Sequence, residues 1–206
     1  MSTYEYNDSR GSVHLPDLYP VLQNIIDRYH FSEKRAFDLG CGSGAIANLL
    51  HKQGFDVVGV DPSQSGISLA TKNFPLLTFR IGSSDDDLSK LYGTYPIVYS
   101  MEVIAHVINP RLFAKRIYEL LEERGIAVVS APFHGFWKNL IISILNKWDI
   151  HLNPLNPQRW INVFSERRFR QLWKEEGFQI IRIVHVGRCY PFSKSMIVIL
   201  QKVGQS

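Results

Sequence analysis

The feature that most constrains this chain is the run Phe37-Asp38-Leu39-Gly40-Cys41-Gly42-Ser43-Gly44, where an apolar stretch meets three alternating glycines and then a helix-forming segment. Such a turn leaves bare backbone at the end of a buried strand, so a ligand can approach it closely. The same rhythm of apolar run, turn and amphipathic stretch repeats downstream, as in βαβ units with a mostly parallel sheet. Strands are predicted over 35–39, 56–60, 77–81, 97–100, 126–131, 178–186 and 195–202, and helices over 45–53, 63–73, 110–123 and 165–177. Gly54 should end the first helix as a left-handed cap, Asn109 and Pro110 should open the third, and Ser165 should cap the fourth. The early strands are near-continuous apolar runs, as strands buried on both faces are. The prediction is one doubly wound α/β domain with a seven-stranded, mostly parallel sheet, an antiparallel last strand and helices on both faces.

Composition bounds the rest. A chain of 206 residues with 45% hydrophobic content can bury one sizeable core and has little left for a second domain. Its longest apolar runs, such as 139–145, fall short of the roughly 18 to 20 residues a membrane span needs. The polar start, 1–10, lacks the apolar stretch of a signal peptide, so a soluble cytoplasmic protein is expected. Cys41 and Cys189 have no metal-ligand spacing and are too few for a disulfide framework. The net charge of +4 and pI near 9.1 fit an ordinary soluble enzyme, and also fit a contact with nucleic acid or an anionic lipid surface.

The second strand leads into Asp61, about twenty residues after the glycines, where a Rossmann-type arrangement places a carboxylate that accepts hydrogen bonds from ribose hydroxyls. An aspartate before Pro62 also suits a plain turn that caps the next helix. Ligands in open α/β sheets sit at the carboxyl ends of the strands, so Ser100, Met101 and Glu102 should line the pocket floor, with His106 on the following turn.

The segment Asp38-Leu-Gly-Cys-Gly-Ser-Gly44 with Gly59-Val-Asp61 resembles motif I and the following acidic position of class I S-adenosylmethionine-dependent methyltransferases. Asp38 inside the strand, in place of a leading glycine, separates this form from dinucleotide oxidoreductases. The resemblance implies the Rossmann-like methyltransferase fold and the cofactor S-adenosyl-L-methionine, with S-adenosyl-L-homocysteine as product. It places Asp38, Gly40, Cys41, Gly42 and Gly44 near the methionine portion of the cofactor and Asp61 and Pro62 at the ribose. Ile81-Gly-Ser-Ser-Asp-Asp86 resembles the family's third-strand motif, which implies that Asp85 receives the adenine amino group while the Ser84 amide faces the ring. The run Asp85 to Asp87 equally suits a solvated loop that caps a helix at Leu88. Pro96-Ile-Val-Tyr-Ser-Met-Glu-Val-Ile-Ala-His-Val107 resembles the family's segment after strand four, with Ser100 and Met101 at the cofactor. It departs twice: Pro96 replaces an acidic residue, and Ala105 replaces the glutamate that precedes the histidine. Relatives use that Glu-His pair near a reacting hydroxyl or a metal, so its loss argues for no metal here. His106 would then act alone as the base, or else pack against the sheet end.

Over about 35–202 the chain is similar to the branch that includes the ubiquinone-biosynthesis O-methyltransferases. Ala131-Pro-Phe-His-Gly-Phe-Trp-Lys-Asn139 resembles a recurrent P-[YF]-H-G-x-x-K-N stretch of that branch, and Phe192-Ser-Lys-Ser-Met196 resembles another. His134 is the second candidate base. The aromatic-rich insert at 132–164 carries Phe136, Trp137, His151 and Trp160, with Leu140, Ile141, Ile144, Leu145 and Trp148 at helical spacing. Burial should explain that stripe, with Lys138 and Lys147 facing outward. Its readings are a lid packed on the sheet edge, a wall of an acceptor pocket, or a shallow membrane-surface helix. Residues 1–34, with Tyr4, Tyr6, Arg10 and His14, read as a helical segment that folds over the cofactor as a lid, against plain disorder. The expected partner is a small, apolar or aromatic acceptor methylated on oxygen, and the protein is a monomer or homodimer. Two other classes stay open. A small-RNA methyltransferase shares the Glu102 and His106 spacing, but the chain lacks a clustered basic tract, so nucleic acid is not the expected partner. A non-catalytic cofactor sensor or partner subunit would account for Pro96 and Ala105.

Overall fold

The computed structural model describes residues 6, 15–29, 31, 33–152 and 161–203. Its strands are β1 (Arg35–Leu39), β2 (Asp56–Asp61), β3 (Thr78–Ile81), β4 (Tyr95–Ser100), β5 (Leu121–Pro132), β6 (Phe178–Val186) and β7 (Ser195–Lys202). Its helices are α1 (Leu15–Arg28), α2 (Ala45–His51), α3 (Gln64–Asn73), α4 (Leu88–Tyr92), α5 (Pro110–Leu120), α6 (Phe136–Ile144), α7 (Trp148–His151) and α8 (Glu166–Glu175).

Every residue of β4 is buried, and it lies mid-sheet in the order β3-β2-β1-β4-β5-β7-β6. From β1 the chain winds outward through β2 and β3, then returns to start β4 on β1's other side. That reversal opens a crevice at the carboxyl ends of β1 and β4, the position where such sheets bind ligands. β7 runs antiparallel to both β5 and β6, so the mixed seven-stranded sheet has the predicted direction change. One face is covered by α1, α2 and α3 through Leu18, Leu22, Leu50 and Ile67; α4, α5 and α8 cover the other through Leu88, Phe113, Phe169 and Trp173. A sheet sandwiched this way removes most of its apolar surface from water, the main driving force for the fold.

The caps follow their sequence signals. Asn109 accepts from the Leu112 amide at 3.1 Å, Ser165 from Arg168 at 3.4 Å, and Gly54 sits at φ 88°. Several boundaries differ from expectation, most of all those of α5, β5 and β4. α5 stops at Leu120 because the fully buried Leu121 pairs with Tyr95, and β5 begins there. The register then shifts before Ile97 meets Ile126, with Arg124 at φ 64° taking up the irregularity. β4 starts at Tyr95 and includes Pro96, two residues earlier than predicted, because the tyrosine ring is buried against Phe37.

The insert is pinned at its base. Phe133 and Phe164 form a parallel bridge, and the His134 amide donates to the Phe164 carbonyl at 3.2 Å. The Ile161 and Asn162 amides donate to the Ala105 carbonyl at 2.7 and 2.9 Å, tying the insert's end to the turn after β4. Inside it, α6 corrects the expectation of a buried stripe. Ile142 is buried, whereas Leu140, Ile141, Ile144 and Leu145 are exposed, because α6 rests on the rim of the sheet and presents its apolar face outward. Lys147 faces solvent as expected, but Lys138 is half-buried. At the other end, the Tyr6 amide donates to Ser65 Oγ at 3.0 Å. The expectations for Tyr4, Arg10, His14 and Trp160 lie outside the described residues. Among the described residues no helix is long and apolar enough to cross a membrane.

Candidate active site

The glycine turn sits at the crevice. Gly40, Gly42 and Gly44 have φ values of 86°, 52° and 78°, a region that side chains disfavour. Gly40 also needs its missing side chain for contact, since a Cβ there would lie 2.2 Å from Val103 on the turn after β4. The Gly40 and Cys41 amides both donate to the Val60 carbonyl, at 2.8 and 3.0 Å, which binds the turn to the end of β2. The Cys41 side chain packs inward against Gly59, so Cys41 offers the crevice only backbone. Ser43 Oγ is buried here without a hydrogen-bond partner, and the buried Asp38 carboxyl and Tyr99 hydroxyl have at most each other. Buried polar atoms are costly to leave unpaired, and their clustering at the strand ends is what a polar cofactor would relieve.

Asp61 is buried and accepts from the Gly42 amide through Oδ2 at 2.9 Å and from the Ser63 amide through Oδ1 at 2.8 Å. It caps the next turn, as the plain-turn reading expects, and each oxygen keeps a second lone pair. Pro62 is exposed beside it. The Tyr6 ring lies against Gly42 and Gly66, covering the turn from the N-terminal side. Ser84 is buried and Asp85 exposed. The acidic run divides its work: Asp86 accepts from the Ser83 amide at 2.7 Å, Asp87 pairs with Lys90 at 2.6 Å, and Asp85 keeps its carboxylate in solvent. Ser100 donates to the Leu39 carbonyl at 2.5 Å, joining the ends of β1 and β4, and Met101 is half-buried next to it.

Burial pushes the Asp38 carboxyl up to about 8, opposed by Tyr99 and reinforced by Asp61. The folded chain therefore holds a proton there that the unfolded chain releases near the ordinary value of 3.8. The stabilisation is complete below that value and is lost as pH rises toward 8. Unfolding free energy, measured by denaturant titration, should fall between pH 5 and 8, and Asp38→Asn should flatten that slope; an unchanged slope in the variant would count against the assignment.

A second polar cluster lies beyond β4 and β5. Glu102 has a positive φ of 62°, a strained conformation of the kind that collects at functional sites. Its amide donates to Ser130 Oγ at 2.8 Å, and the same hydroxyl donates to Glu102 Oε1 at 2.8 Å. Ser195 bonds the same carboxyl, so one side chain laces together the ends of β4, β5 and β7. Burial raises Glu102 to about 7, against the pull of Ser130, Ser195 and Lys138. Lys138 Nζ donates to the Phe133 and Ser193 carbonyls at 2.6 and 3.3 Å. Burial, helped by Arg188, lowers it to about 8, while Glu102 opposes the shift.

His134 is buried, with Nδ1 2.9 Å from Asn139 Oδ1. An amide oxygen only accepts, so Nδ1 carries the proton and Nε2 the lone pair. Burial lowers the His134 pKa, with Asn139 opposing and Lys138 and His151 adding to the shift. The result is a neutral, oriented imidazole, the form that can take a proton. His106 is half-buried on the turn after β4, where its amide donates to the Val103 carbonyl at 2.8 Å. Ala105 brings no ligand atom, and among the described residues no group of three His, Cys, Asp or Glu is placed to hold a metal ion. Sequence reasoning missed Ser43, Tyr99, Ser130, Ser195 and Asn139. A tyrosine inside the otherwise apolar β4, opposite Asp38, was the available signal for Tyr99.

Comparison with known proteins agrees with this geometry. A sequence model of the family described as "Methyltransferase domain" matches residues 17–183. A ubiquinone biosynthesis O-methyltransferase of Rickettsia canadensis is 32% identical over 179 residues, covering 85% of this chain and 75% of that protein. One of the same description from Bradyrhizobium diazoefficiens is 33% identical over 131 residues, 61% of this chain; the chain spans 51% of that relative's length. Among solved structures, a methyltransferase of Methanosarcina mazei superposes with a TM-score of 0.70 at 19% identity, covering 92% of this chain and all of that one. The magnesium protoporphyrin IX methyltransferase of Synechocystis superposes at 0.68 with 18% identity, covering 89% and 80% of the two chains. The glycine turn, the carboxylate at the end of β2 and the family match over most of the chain lead to one conclusion, that it belongs to the S-adenosylmethionine-dependent methyltransferases.

Proposed function

We propose that this chain transfers the methyl group of S-adenosylmethionine to a hydroxyl oxygen of a small, apolar or aromatic acceptor. One observation carries the reading beyond the family: His134 is buried, neutral and oriented by Asn139 at the base of an insert whose outer face is apolar and aromatic. The sulfonium of the bound cofactor supplies an already activated methyl group, so the protein has to align the acceptor, exclude water and remove a proton. Asp61 would hold the ribose and Asp38 and Ser43 the methionine end, in keeping with the buried polar atoms and open lone pairs there, and Ser84 and Asp85 would hold the adenine. Tyr6 would close over the turn as part of an N-terminal lid. His134 would take the acceptor's proton at Nε2; His106, on the turn after β4, is the other candidate. The names of the Rickettsia and Bradyrhizobium relatives support oxygen as the methylated atom and a ring compound as acceptor.

Phe136, Trp137 and Ile144 are exposed beside the exposed Lys147, which favours a peripheral contact of α6 with a membrane surface where a lipid-tailed acceptor would reside. A cytoplasmic location and a monomeric or homodimeric state belong to the proposal.

Calorimetric titration with S-adenosylmethionine, S-adenosylhomocysteine and NAD tests the cofactor, and transfer of labelled methyl to phenols with apolar tails tests the acceptor. Micromolar binding of the two sulfur nucleotides with label recovered on phenolic oxygen is expected. Binding without transfer to any acceptor would favour the sensor reading, and binding of NAD alone would overturn the proposal.

A further inference from the structure

The turn after β4 is held from two sides. At its start the Glu102 amide is bonded to Ser130 Oγ, and within it the His106 amide donates to the Val103 carbonyl at 2.8 Å. The second hold comes from the returning end of the insert. Asn162 Nδ2 donates to the Val107 carbonyl at 2.6 Å and to the Ile104 carbonyl at 3.4 Å. With the Ile161 and Asn162 amides, which donate to Ala105, these bonds take up the carbonyls of Ile104, Ala105 and Val107. Ile104 and Ala105 are fully buried, so their backbone has to find its partners inside the protein. A side-chain amide suits that place. Its nitrogen carries two hydrogens and serves two carbonyls at once, whereas its oxygen would be repelled by both, which settles how the amide is turned.

On its other side the same turn meets the glycine turn. Val103 fills the space that a side chain at Gly40 would need, since a Cβ there would lie 2.2 Å from one Val103 methyl and 2.8 Å from the other. The Gly40 amide is fixed in turn by the Val60 carbonyl, next to Asp61. A continuous line of contacts therefore runs from Asn162 through the turn and Val103 to Gly40, and close-packed interiors pass on displacements of this kind.

We propose that Asn162 is a positioning residue of the cofactor site: from the end of the insert it pins the turn after β4, and through Val103 that turn keeps the glycine turn in the shape that binds S-adenosylmethionine. The proposal rests on the reading that the cofactor lies at the glycine turn. Residues 161–164 then belong to the framework of the cofactor site as well as to the insert. By linkage the coupling runs both ways, so a bound cofactor also tightens the insert's end.

The probe is S-adenosylhomocysteine, titrated into the full chain by calorimetry. Asn162→Ala should weaken its binding about tenfold, within the range by which residues that touch neither ligand alter affinity. Ser143→Ala removes a bond inside the insert, from Trp148 Nε1 at 2.9 Å, that does not reach the turn, and should leave the Kd unchanged. In a Val103→Ala background Asn162→Ala should cost little more, because the side chain that carries the constraint is gone. A role in folding alone would lower Tm in both backgrounds and leave the Kd of the folded protein where it was. The unmutated chain gives a second reading by hydrogen exchange, which needs no variant to fold. S-adenosylhomocysteine should slow the Ile161 and Asn162 amides more than the Leu145 amide, which is bonded within α6. An unchanged Kd in folded Asn162→Ala, equal losses in the two backgrounds, or no preferential slowing at 161 and 162 would overturn the proposal. Failure of the underlying reading looks different: Asp61→Ala would then bind S-adenosylhomocysteine as tightly as the unmutated chain, whatever Asn162 does.

Discussion

Replacing Asp61 with alanine should weaken S-adenosylmethionine binding by about 1.5 to 3 kcal/mol, the usual cost of losing hydrogen bonds to a charged acceptor. In affinity that is about one to two powers of ten. Two effects add in the same direction. On the proposed reading the ribose hydroxyls would lose their acceptor, and the Gly42 and Ser63 amides, which donate to Asp61 at 2.9 and 2.8 Å, lose the group that shapes the turn around them. Titration calorimetry on Asp61→Ala and Asp61→Asn separates the two. The asparagine keeps one acceptor oxygen and should lose less. Equal affinity in all three proteins would mean that Asp61 serves only as a cap for the turn.

The second large effect is on turnover. His134→Asn should lower kcat by about a hundredfold to ten-thousandfold, the range over which a positioned base contributes, and leave the calorimetric Kd for S-adenosylmethionine unchanged. The pH profile carries the same information. Burial holds the His134 pKa below that of an ordinary histidine, so activity limited by this base should rise with pH and level off below the point where a free imidazole would. His106→Ala is the matched comparison, since His106, on the turn after β4, is the other candidate base. A larger loss there than in His134→Asn would reassign the base.

The two halves of the site differ in how far the sequence discloses them, and the difference has a physical origin. The cofactor half is a local device: the glycine turn and Asp61 lie on consecutive strands, so spacing along the chain translates into spacing in space. The parallel pairing of β1 with β2 then brings Gly42 and Asp61 together. The other half depends on contacts made by residues distant in sequence. Nothing near Glu102 hints that its carboxyl will cross β5 to reach Ser130 and Ser195. Lys138 was misplaced for a different reason. Helical spacing places it on the outer side of α6, but helical side chains lean toward the N-terminus, and near the start of a helix that direction leads back to the Phe133 carbonyl. The exposed stripe of α6 shows the limit of periodicity itself, which finds an apolar face but not the surface that covers it. The start of β5 was hidden because Leu121 continues the helical pattern of α5, and the strand pairing with Tyr95 overrides it.

The bridge between Phe133 and Phe164 bears on how new specificities could arise on this scaffold. Because the insert leaves and rejoins the sheet at adjacent points, closure of the loop is settled at its neck, and the cost of changing its length grows only slowly. The intervening residues form an exchangeable cassette: related chains could trade theirs for one of different size and chemistry while the glycine turn and Asp61 stay undisturbed. Acceptor choice would then diverge quickly and cofactor use slowly within a single lineage.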